Sequence, residues 1–248
     1  MNNFIILERK ATEFRRELGI GHIDPINFKS LLKKLNVITV FRPLGETFNG
    51  MAIKIVDTNK ENTNRFMLVN NIHSLGEQNF TIGHELYHLF IQENFTHNYC
   101  TTGLFNKKHI EEFNADVFSS ILMLPEDGII SLIPDMETQK DQITIQTILK
   151  LEQYFFCSRS VLLYRLKNLS LISESKSKEY LKDIVENAIL NGYPLDLYKN
   201  GNSNLVLGDY GQKASELYSK ELISESHYHS LLLDLGMNQE DLENLFNG

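Results

Sequence analysis

The sequence predicts an α+β fold, with a small and mostly antiparallel sheet, followed by a helical C-terminal region. Three short runs rich in β-branched and other apolar residues succeed one another between residues 37 and 70, separated by turn-forming residues. Before and after these runs, apolar residues recur at the spacing of amphipathic helices. The change in periodicity therefore indicates helices on both sides of one small sheet.

Length, composition and charge limit the classes of protein to which the chain can belong. Its 248 residues can form a core of ordinary size, as one large domain or two small ones. No apolar run approaches the roughly 20 residues of a membrane helix, and "MNNFIILERKATEFRR" lacks a secretory signal, so we expect a cytoplasmic protein. The net charge of −8 argues against nucleic acid as the main partner and favours a protein. Cys100 and Cys157 lie far apart and are expected to be free thiols.

Two helices are predicted before the sheet. The first runs from Phe4 to about Leu18, because apolar residues recur there at helical spacing. The second runs to about Leu35, with Asp24 as its N-cap and Pro25 as its first helical residue.

The three predicted strands are "VITVF", "MAIKIV" and "RFMLVN", at residues 37–41, 51–56 and 65–70. The middle strand is entered through Gly50 and is a candidate edge strand, to which a substrate peptide could pair. An ordinary sheet strand is an equally good interpretation of the same residues.

A helix is predicted directly after the sheet. Ser74 and Glu77 form a capping-box pattern, and helical spacing continues from there to about Gln92. Residues 93–106 are then expected to form a polar loop.

Further helices follow this loop. A long helix is predicted from about Lys107 to Leu124, and Pro125 ends it. Two shorter helices are expected at about residues 142–155 and 159–169, the second capped by Ser158.

The apolar periodicity breaks near Ser173, where serine, lysine and glutamate predominate. We therefore divide the chain into residues 1–173, with a helical subdomain at about 126–173, and a helical C-terminal extension at 174–248.

The stretch "TIGHELYHLF", residues 81–90, contains candidate metal ligands and a candidate catalytic base. His84 and His88 are spaced i, i+4, so both imidazoles lie on one helix face and can hold one ion. Glu85 is turned about 100° from His84, so its carboxylate can reach a metal-bound water without binding the metal. The other sides of this helix are apolar, and burying two histidines without partners would be costly. The pattern predicts a metal site with Glu85 as catalytic base; the alternative is a core helix that happens to carry two histidines.

A third ligand is offered by "HIEEFNADVFSS", residues 109–120. Glu112 and Asp116 share one helix face at i, i+4 spacing, so Glu112 is the predicted third ligand. Asp116 is predicted to accept a hydrogen bond from the outer nitrogen of a ligand histidine. Glu111 points about 100° away and is the alternative ligand.

Zinc is the metal that suits this ligand set best. A catalytic zinc takes three protein ligands, keeps a fourth position open and lowers the pKa of its bound water to about 7. Nothing in the sequence indicates the oxygen chemistry that would favour iron, although another divalent ion remains an alternative.

Two longer strings around these residues resemble the ImmA/IrrE family of metallopeptidases. "FTIGHELYH", residues 80–88, and "EFNADVFSSILMLP", residues 112–125, match the usual strings of the family in order and spacing. The resemblance extends from about residue 5 to 170. Tyr87 stands where a glycine is usual, and Asp116 replaces the usual asparagine, but neither change removes a ligand or the base.

The resemblance implies a zincin-like fold, a cytoplasmic location and zinc as cofactor. It also implies cleavage of a helix-turn-helix repressor that is encoded nearby, often on a mobile element or in a stress response. Transferred to this sequence, the zinc ligands are His84, His88 and Glu112, and the base is Glu85. We expect no direct contact with nucleic acid or membrane, and the oligomeric state is open.

Two rival functions use the same residues. One is a metal-binding sensor or interaction module that inactivates a partner without cleaving it. The other, suggested by the extension, is a component of a toxin–antitoxin or phage-defence pair in which the protease fold is regulatory. A pure binding module has no need of a glutamate beside the first ligand, so Glu85 slightly favours the enzyme.

Several other features are expected to be structural. Residues 142–169 superficially resemble a helix-turn-helix, with possible phosphate contacts at Arg159, Arg165 and Lys167. The pair in "HYH", residues 227–229, has i, i+2 spacing, which points the two rings apart on a helix. Candidates for stabilising an oxyanion are His97, Tyr99 and Tyr154.

Overall fold

The computed structural model describes residues 2–56, 63–101, 105–238, 240 and 242. Within these residues it has an α+β fold of five strands and eleven α-helices, in agreement with the predicted fold class. None of the helices in the described ranges is long and apolar enough to cross a bilayer.

The first part of the chain builds the sheet and the helices that precede it. Helices α1 and α2 are followed by the three predicted strands. Their bounds are Asn2–Glu17 (α1), Phe28–Lys34 (α2), Val37–Arg42 (β1), Phe48–Val56 (β2) and Thr63–Asn70 (β3).

The middle part carries the two histidines and the acidic helix. Helix α3 continues without interruption into a π-helical turn, and a fourth strand lies before α4. The bounds are Leu75–Leu86 (α3), Tyr87–Ile91 (π-helical turn), His97–Thr101 (β4), Ile110–Met123 (α4), Glu126–Leu132 (α5), Ile145–Phe155 (α6) and Arg159–Asn168 (α7).

The C-terminal extension is mainly helical, as expected, and contributes one short strand. Its elements are Glu174–Tyr180 (α8), Ile184–Leu190 (α9), Val206–Leu207 (β5), Tyr210–Ser219 (α10) and Glu225–Asp234 (α11).

The predicted start of α2 is wrong. Asn27 is its N-cap, and the side chain of Asn27 accepts a hydrogen bond from the backbone N–H of Ser30. Asp24 is instead part of a turn, because its N–H donates to Gly21 O and its carbonyl accepts a hydrogen bond from Arg15. The Asp-Pro pair therefore precedes the helix and does not begin it.

The five strands form one sheet in the order β4-β2-β3-β1-β5. Strand β1 pairs with β3 in parallel, and the other three pairings are antiparallel, so the prediction of a mostly antiparallel sheet is confirmed. Strand β4 lies in the segment 93–106 that we expected to be a polar loop. Because β2 pairs with both β3 and β4, it is an ordinary sheet strand, and the alternative interpretation of β2 as an edge strand is wrong.

Helices α3 and α4 pack against each other at a point where both carry small residues. A Cβ atom on Gly83 would lie 2.4 Å from the Ser119 hydroxyl oxygen, so only glycine allows this approach. The Ser119 hydroxyl donates a 2.8 Å hydrogen bond to the carbonyl of Phe80 on α3. The close contact brings the polar residues of α4 against the histidines of α3.

Two buried arginines bind the C-terminal end of α4. The guanidinium of Arg15 donates to Leu122 O at 2.6 Å, and that of Arg165 donates to Leu124 O at 3.1 Å. Positive groups at a helix C-terminus satisfy carbonyls that lack intrahelical partners and interact favourably with the helix dipole. Helices α1 and α7 thus contact α4 at its C-terminal end, through Arg15 and Arg165.

The extension contacts the preceding part of the chain at the sheet and at a buried ion pair. Strand β5 pairs with β1. On α6 and α7, Glu152 and Arg159 form a buried ion pair. Arg159 also donates to Tyr180 O, and the Tyr198 hydroxyl donates to the Glu152 carboxylate, each at 2.9 Å. The division of the chain at residue 173 stays a prediction, but these contacts join the two sides.

Candidate metal centre

Helix α3 has the start that its sequence predicts. The Ser74 side chain accepts from the Glu77 N–H, and the Glu77 carboxylate accepts from the Ser74 N–H, which forms the capping box. One face of the helix then carries His84 into the interior, and His88 follows in the π-helical turn. Both imidazoles are buried, with at most 1% of either residue exposed.

The three predicted ligands meet at one point. The Nε2 atoms of His84 and His88 lie 3.1 Å apart. The Glu112 carboxylate lies across from them, with Oε2 3.2 Å from His84 Nε2 and Oε1 3.4 Å from His88 Nε2. These three residues are the group in the described part of the chain whose donor atoms could hold a metal ion.

Asp116 contacts His84 as the sequence predicts. Its Oδ1 lies 2.8 Å from His84 Nδ1, and its Oδ2 accepts a 2.5 Å hydrogen bond from the Phe105 N–H. A carboxylate at neutral pH only accepts, so His84 Nδ1 carries the proton and the Nε2 lone pair points to the cluster.

Three further contacts were not predicted from the sequence. The backbone N–H of Phe105 fixes Asp116, the ring of Phe95 stacks on His88 at 5.2 Å, and Gln92 Oε1 lies 2.5 Å from His88 Nδ1. All three residues lie in or beside the segment 93–106 that we expected to be a polar loop. The i, i+4 spacing of His88 and Gln92 is the signal that could have revealed one of them.

The donor set fits a divalent cation. With the outer nitrogens of both histidines bonded to oxygen atoms, two Nε2 lone pairs and a carboxylate converge within a few ångströms. In the metal-free protein burial raises the pKa of Glu112, but hydrogen bonds and charge from His84 and His88, when their Nε2 atoms carry protons, outweigh it and hold that pKa well below its usual value. Convergent acceptors around an ionised carboxylate repel one another unless a positive charge lies between them. Two histidines and one glutamate form a ligand set typical of catalytic zinc.

Glu85 is buried next to this cluster without a hydrogen-bond partner on either carboxylate oxygen. A Cβ atom on Gly50 of β2 would lie 2.6 Å from Thr81 Cγ2 and 3.2 Å from Glu85 Oε1, so the glycine leaves room for this carboxylate. Burial raises the pKa of Glu85 to about 7, although the nearby histidines lower it. A buried, unpaired carboxyl group is costly for the fold and is typical of functional sites.

This cost predicts a pH-dependent effect of Glu85→Gln on the metal-free protein. Unfolded Glu85 loses its proton near pH 4.5 and folded Glu85 near pH 7, so its contribution to stability falls as the pH rises between these values. Glutamine has no proton to lose. At pH 8, with chelator present, we expect the variant to be up to about 3 kcal/mol more stable than the wild type. The advantage should largely disappear at pH 5.

Urea unfolding of both proteins at pH 5 and pH 8 measures this difference. The exposed Glu93 offers a matched control, because Glu93→Gln should change stability little at either pH. If the difference in free energy of unfolding between Glu85→Gln and wild type were the same at both pH values, ionisation of the buried carboxyl group would not destabilise the folded protein.

The comparison with known families agrees with this geometry. The model of the family Peptidase M78, described as an IrrE N-terminal-like domain, matches residues 33–167, more than half of the chain. The chain belongs to the M78 peptidase family. The matched range includes His84, Glu85, His88 and Glu112. It confirms the resemblance to ImmA/IrrE metallopeptidases and supports a metallopeptidase type of function. No curated protein matches the chain.

The M78 domain accommodates the unusual tyrosine on α3. The ring of Tyr87 is buried against Phe118, and its hydroxyl donates a 2.8 Å hydrogen bond to Glu111. Burial, followed by the bond and charge of Glu111, raises the pKa of Tyr87. Glu111 is thus a partner of Tyr87, and Glu112 is the glutamate whose carboxylate lies beside the two histidines.

Two of the three possible phosphate contacts in residues 142–169 are buried inside the M78 domain. Arg159 and Arg165 are buried and bonded to protein groups, and Lys167 forms a 2.8 Å ion pair with Glu174. The two arginines are therefore engaged inside the protein, whereas Lys167 lies in a partly exposed pair.

The remaining candidate side chains are exposed, partly or fully buried, or outside the described residues. Tyr154 is 40% exposed and packs edge-on against Phe155. His97 is exposed, and the side chain of Tyr99 lies outside the described residues, as does that of Cys100. Cys157 is a buried free cysteine, and burial raises the pKa of its thiol well above the usual value. In "HYH", His229 lies 3.8 Å from Glu225 on the same helix.

Proposed function

We propose that the protein is a zinc-dependent endopeptidase of narrow specificity that cleaves a regulatory protein in the cytoplasm, with a helix-turn-helix repressor as its substrate. The observation that carries the proposal is the buried carboxyl group of Glu85, unpartnered and adjacent to three convergent ligand side chains. A module that only bound metal would have no use for this costly group.

His84, His88 and Glu112 would hold the zinc ion. When bound, zinc supplies a Lewis acid for the peptide carbonyl and lowers the pKa of a water molecule to about 7. Glu85 accepts a proton from the attacking water at its carboxylate and returns it to the amine nitrogen that leaves. Burial raises the pKa of Glu85 to about 7 in the metal-free protein, and a bound cation would lower it, so the carboxylate is ionised and able to accept a proton at neutral pH.

The remaining contacts position these groups. Asp116 orients the His84 ring and keeps its proton on the outer nitrogen. The close approach of α3 and α4 at Gly83 and Ser119 keeps the histidines and Glu112 at a fixed separation. Preorganised groups of this kind lose little free energy to rearrangement during reaction.

Burial supports narrow specificity. His84, Glu85 and His88 are each at most 1% exposed, whereas 27% of the Glu112 side chain is exposed. A scissile bond therefore has to approach from the Glu112 side, and a folded protein can do so only through a segment that fits this restricted opening. General digestion of unfolded protein is not expected.

The experiment is incubation of the zinc-loaded full chain with the helix-turn-helix repressor encoded beside its gene, and with unfolded casein. Mass spectrometry should find one cleavage site in the repressor, no general digestion of casein, and no cleavage after chelator treatment. An intact repressor in the presence of zinc-loaded protein would refute the substrate assignment. Efficient digestion of casein would refute narrow specificity.

A further inference from the structure

The outer ring nitrogen of His88 has a different kind of hydrogen-bond partner from the outer ring nitrogen of His84. Asp116, a carboxylate on a different helix, contacts His84 Nδ1, whereas Gln92 Oε1 contacts His88 Nδ1 at 2.5 Å. Gln92 is the first residue after the π-helical turn Tyr87–Ile91, and its backbone is extended, with φ −70° and ψ 130°.

The π-helical turn places Gln92 where this contact is possible. The Gln92 N–H donates a 2.9 Å hydrogen bond to Tyr87 O, five residues earlier, which closes the wide turn. This bond fixes the Gln92 backbone beside the turn that carries His88, and the side chain folds back onto the imidazole. Single π-helical turns inside α-helices are frequent at functional sites.

Aromatic neighbours hold the His88 ring without determining its tautomer. Phe95 stacks on it at 5.2 Å with an interplanar angle of 24°, and Tyr87 lies edge-on at 5.6 Å. These rings restrict how the imidazole tilts, but neither offers an acceptor oxygen to Nδ1. Gln92 does, because an amide oxygen can only accept.

We propose that Gln92 is a positioning residue for His88: its amide oxygen keeps the proton on Nδ1 and so directs the Nε2 lone pair to His84 and Glu112. The inference rests on the proposed metal site. It assigns to Gln92 the role that Asp116 has for His84, with a neutral acceptor that adds no second carboxylate to an already acidic cluster. Outer partners of ligand histidines typically change metal affinity by about 10–100-fold when they are removed.

The first test compares Gln92→Met with Gln92→Glu. Methionine has a similar length and no acceptor oxygen, whereas glutamate restores the acceptor. Competition with a chromophoric chelator gives the dissociation constants for Zn²⁺ and Co²⁺. We expect binding about 10–100-fold weaker for Gln92→Met, and within a few-fold of wild type or tighter for Gln92→Glu. Gln139→Met, at an exposed glutamine, should bind like wild type.

The second test is independent of metal and needs no variant. Nitrogen-15 NMR of the histidine rings in the metal-free wild-type protein reports which nitrogen of His88 carries the proton. We expect a proton on Nδ1, with or without a second proton on the Nε2 atom that faces Glu112. A ring protonated on Nε2 alone, or a Zn²⁺ affinity of Gln92→Met within twofold of wild type, would overturn the role of Gln92. Wild-type protein that binds neither ion would refute the proposed function, while the tautomer would still decide whether Gln92 orients His88.

Discussion

Replacement of Glu85 by glutamine should lower the rate of peptide hydrolysis by about 10²–10⁴-fold, the range for loss of a general acid–base group, while zinc content stays at the wild-type level. The substitution keeps the size of the side chain and removes its ability to accept a proton. Glu85 is not among the three convergent ligand residues, so the metal should remain bound. Loss of activity with full metal occupancy is the result that distinguishes an enzyme from a metal-binding sensor.

The measurement is the initial rate of repressor cleavage by zinc-loaded protein, with metal content determined on the same samples. Glu93→Gln makes the same chemical change at an exposed position just beyond the π-helical turn and should retain full activity. If Glu85→Gln kept more than a tenth of the wild-type rate, another group would have to be the base.

Replacement of Arg159 by methionine should destabilise the protein by about 3–5 kcal/mol, the usual effect of removing one partner of a buried ion pair. Arg159 bonds both carboxylate oxygens of Glu152, and both residues are almost fully buried. Burial raises the pKa of Glu152, an effect that Arg159 opposes. Without Arg159, the buried carboxyl group of Glu152 would either be ionised with no positive charge beside it or take up a proton.

The same substitution should loosen the extension, because Arg159 also bonds Tyr180 O. Urea unfolding measures the change in stability, and limited proteolysis should then cut the extension sooner than in the wild type. Lys178→Met breaks an exposed pair with Glu174 on α8 and should cost less than about 1 kcal/mol.

A double variant tests the coupling between the two residues. Glu152→Leu with Arg159→Met removes both charges, so its destabilisation should be smaller than the sum of the two single changes. Additive effects, or a loss below about 1 kcal/mol for Arg159→Met alone, would contradict a coupled buried pair.

Much of the site could be predicted from the sequence because the patterns that indicate it involve residues only a few positions apart. The spacing of His84 and His88 and the capping box at Ser74 depend on helix geometry within a few residues. Glu112 and Asp116 followed from the same spacing on a second helix. The structure brings these two helices together as the patterns require.

The features that sequence analysis missed depend on long-range or irregular geometry. Strand β4 exists through its pairing with β2, a partner more than forty residues earlier, and its own residues look like a polar loop. The π-helical turn is a local departure from 3.6-residue periodicity, so a periodic pattern cannot reveal it. Gln92 directly follows the π-helical turn, and Phe95 and Phe105 lie on either side of β4 in the sequence.

The central claim is that His84, His88 and Glu112 bind one metal ion. Elemental analysis of wild-type protein purified without chelator, beside His88→Ala and Glu85→Gln, tests it most directly. We predict about one zinc per chain in the wild type and in Glu85→Gln, and loss of zinc in His88→Ala. Absence of metal from the wild type, even after zinc is added, would contradict the account and leave α3 as a core helix with two buried histidines.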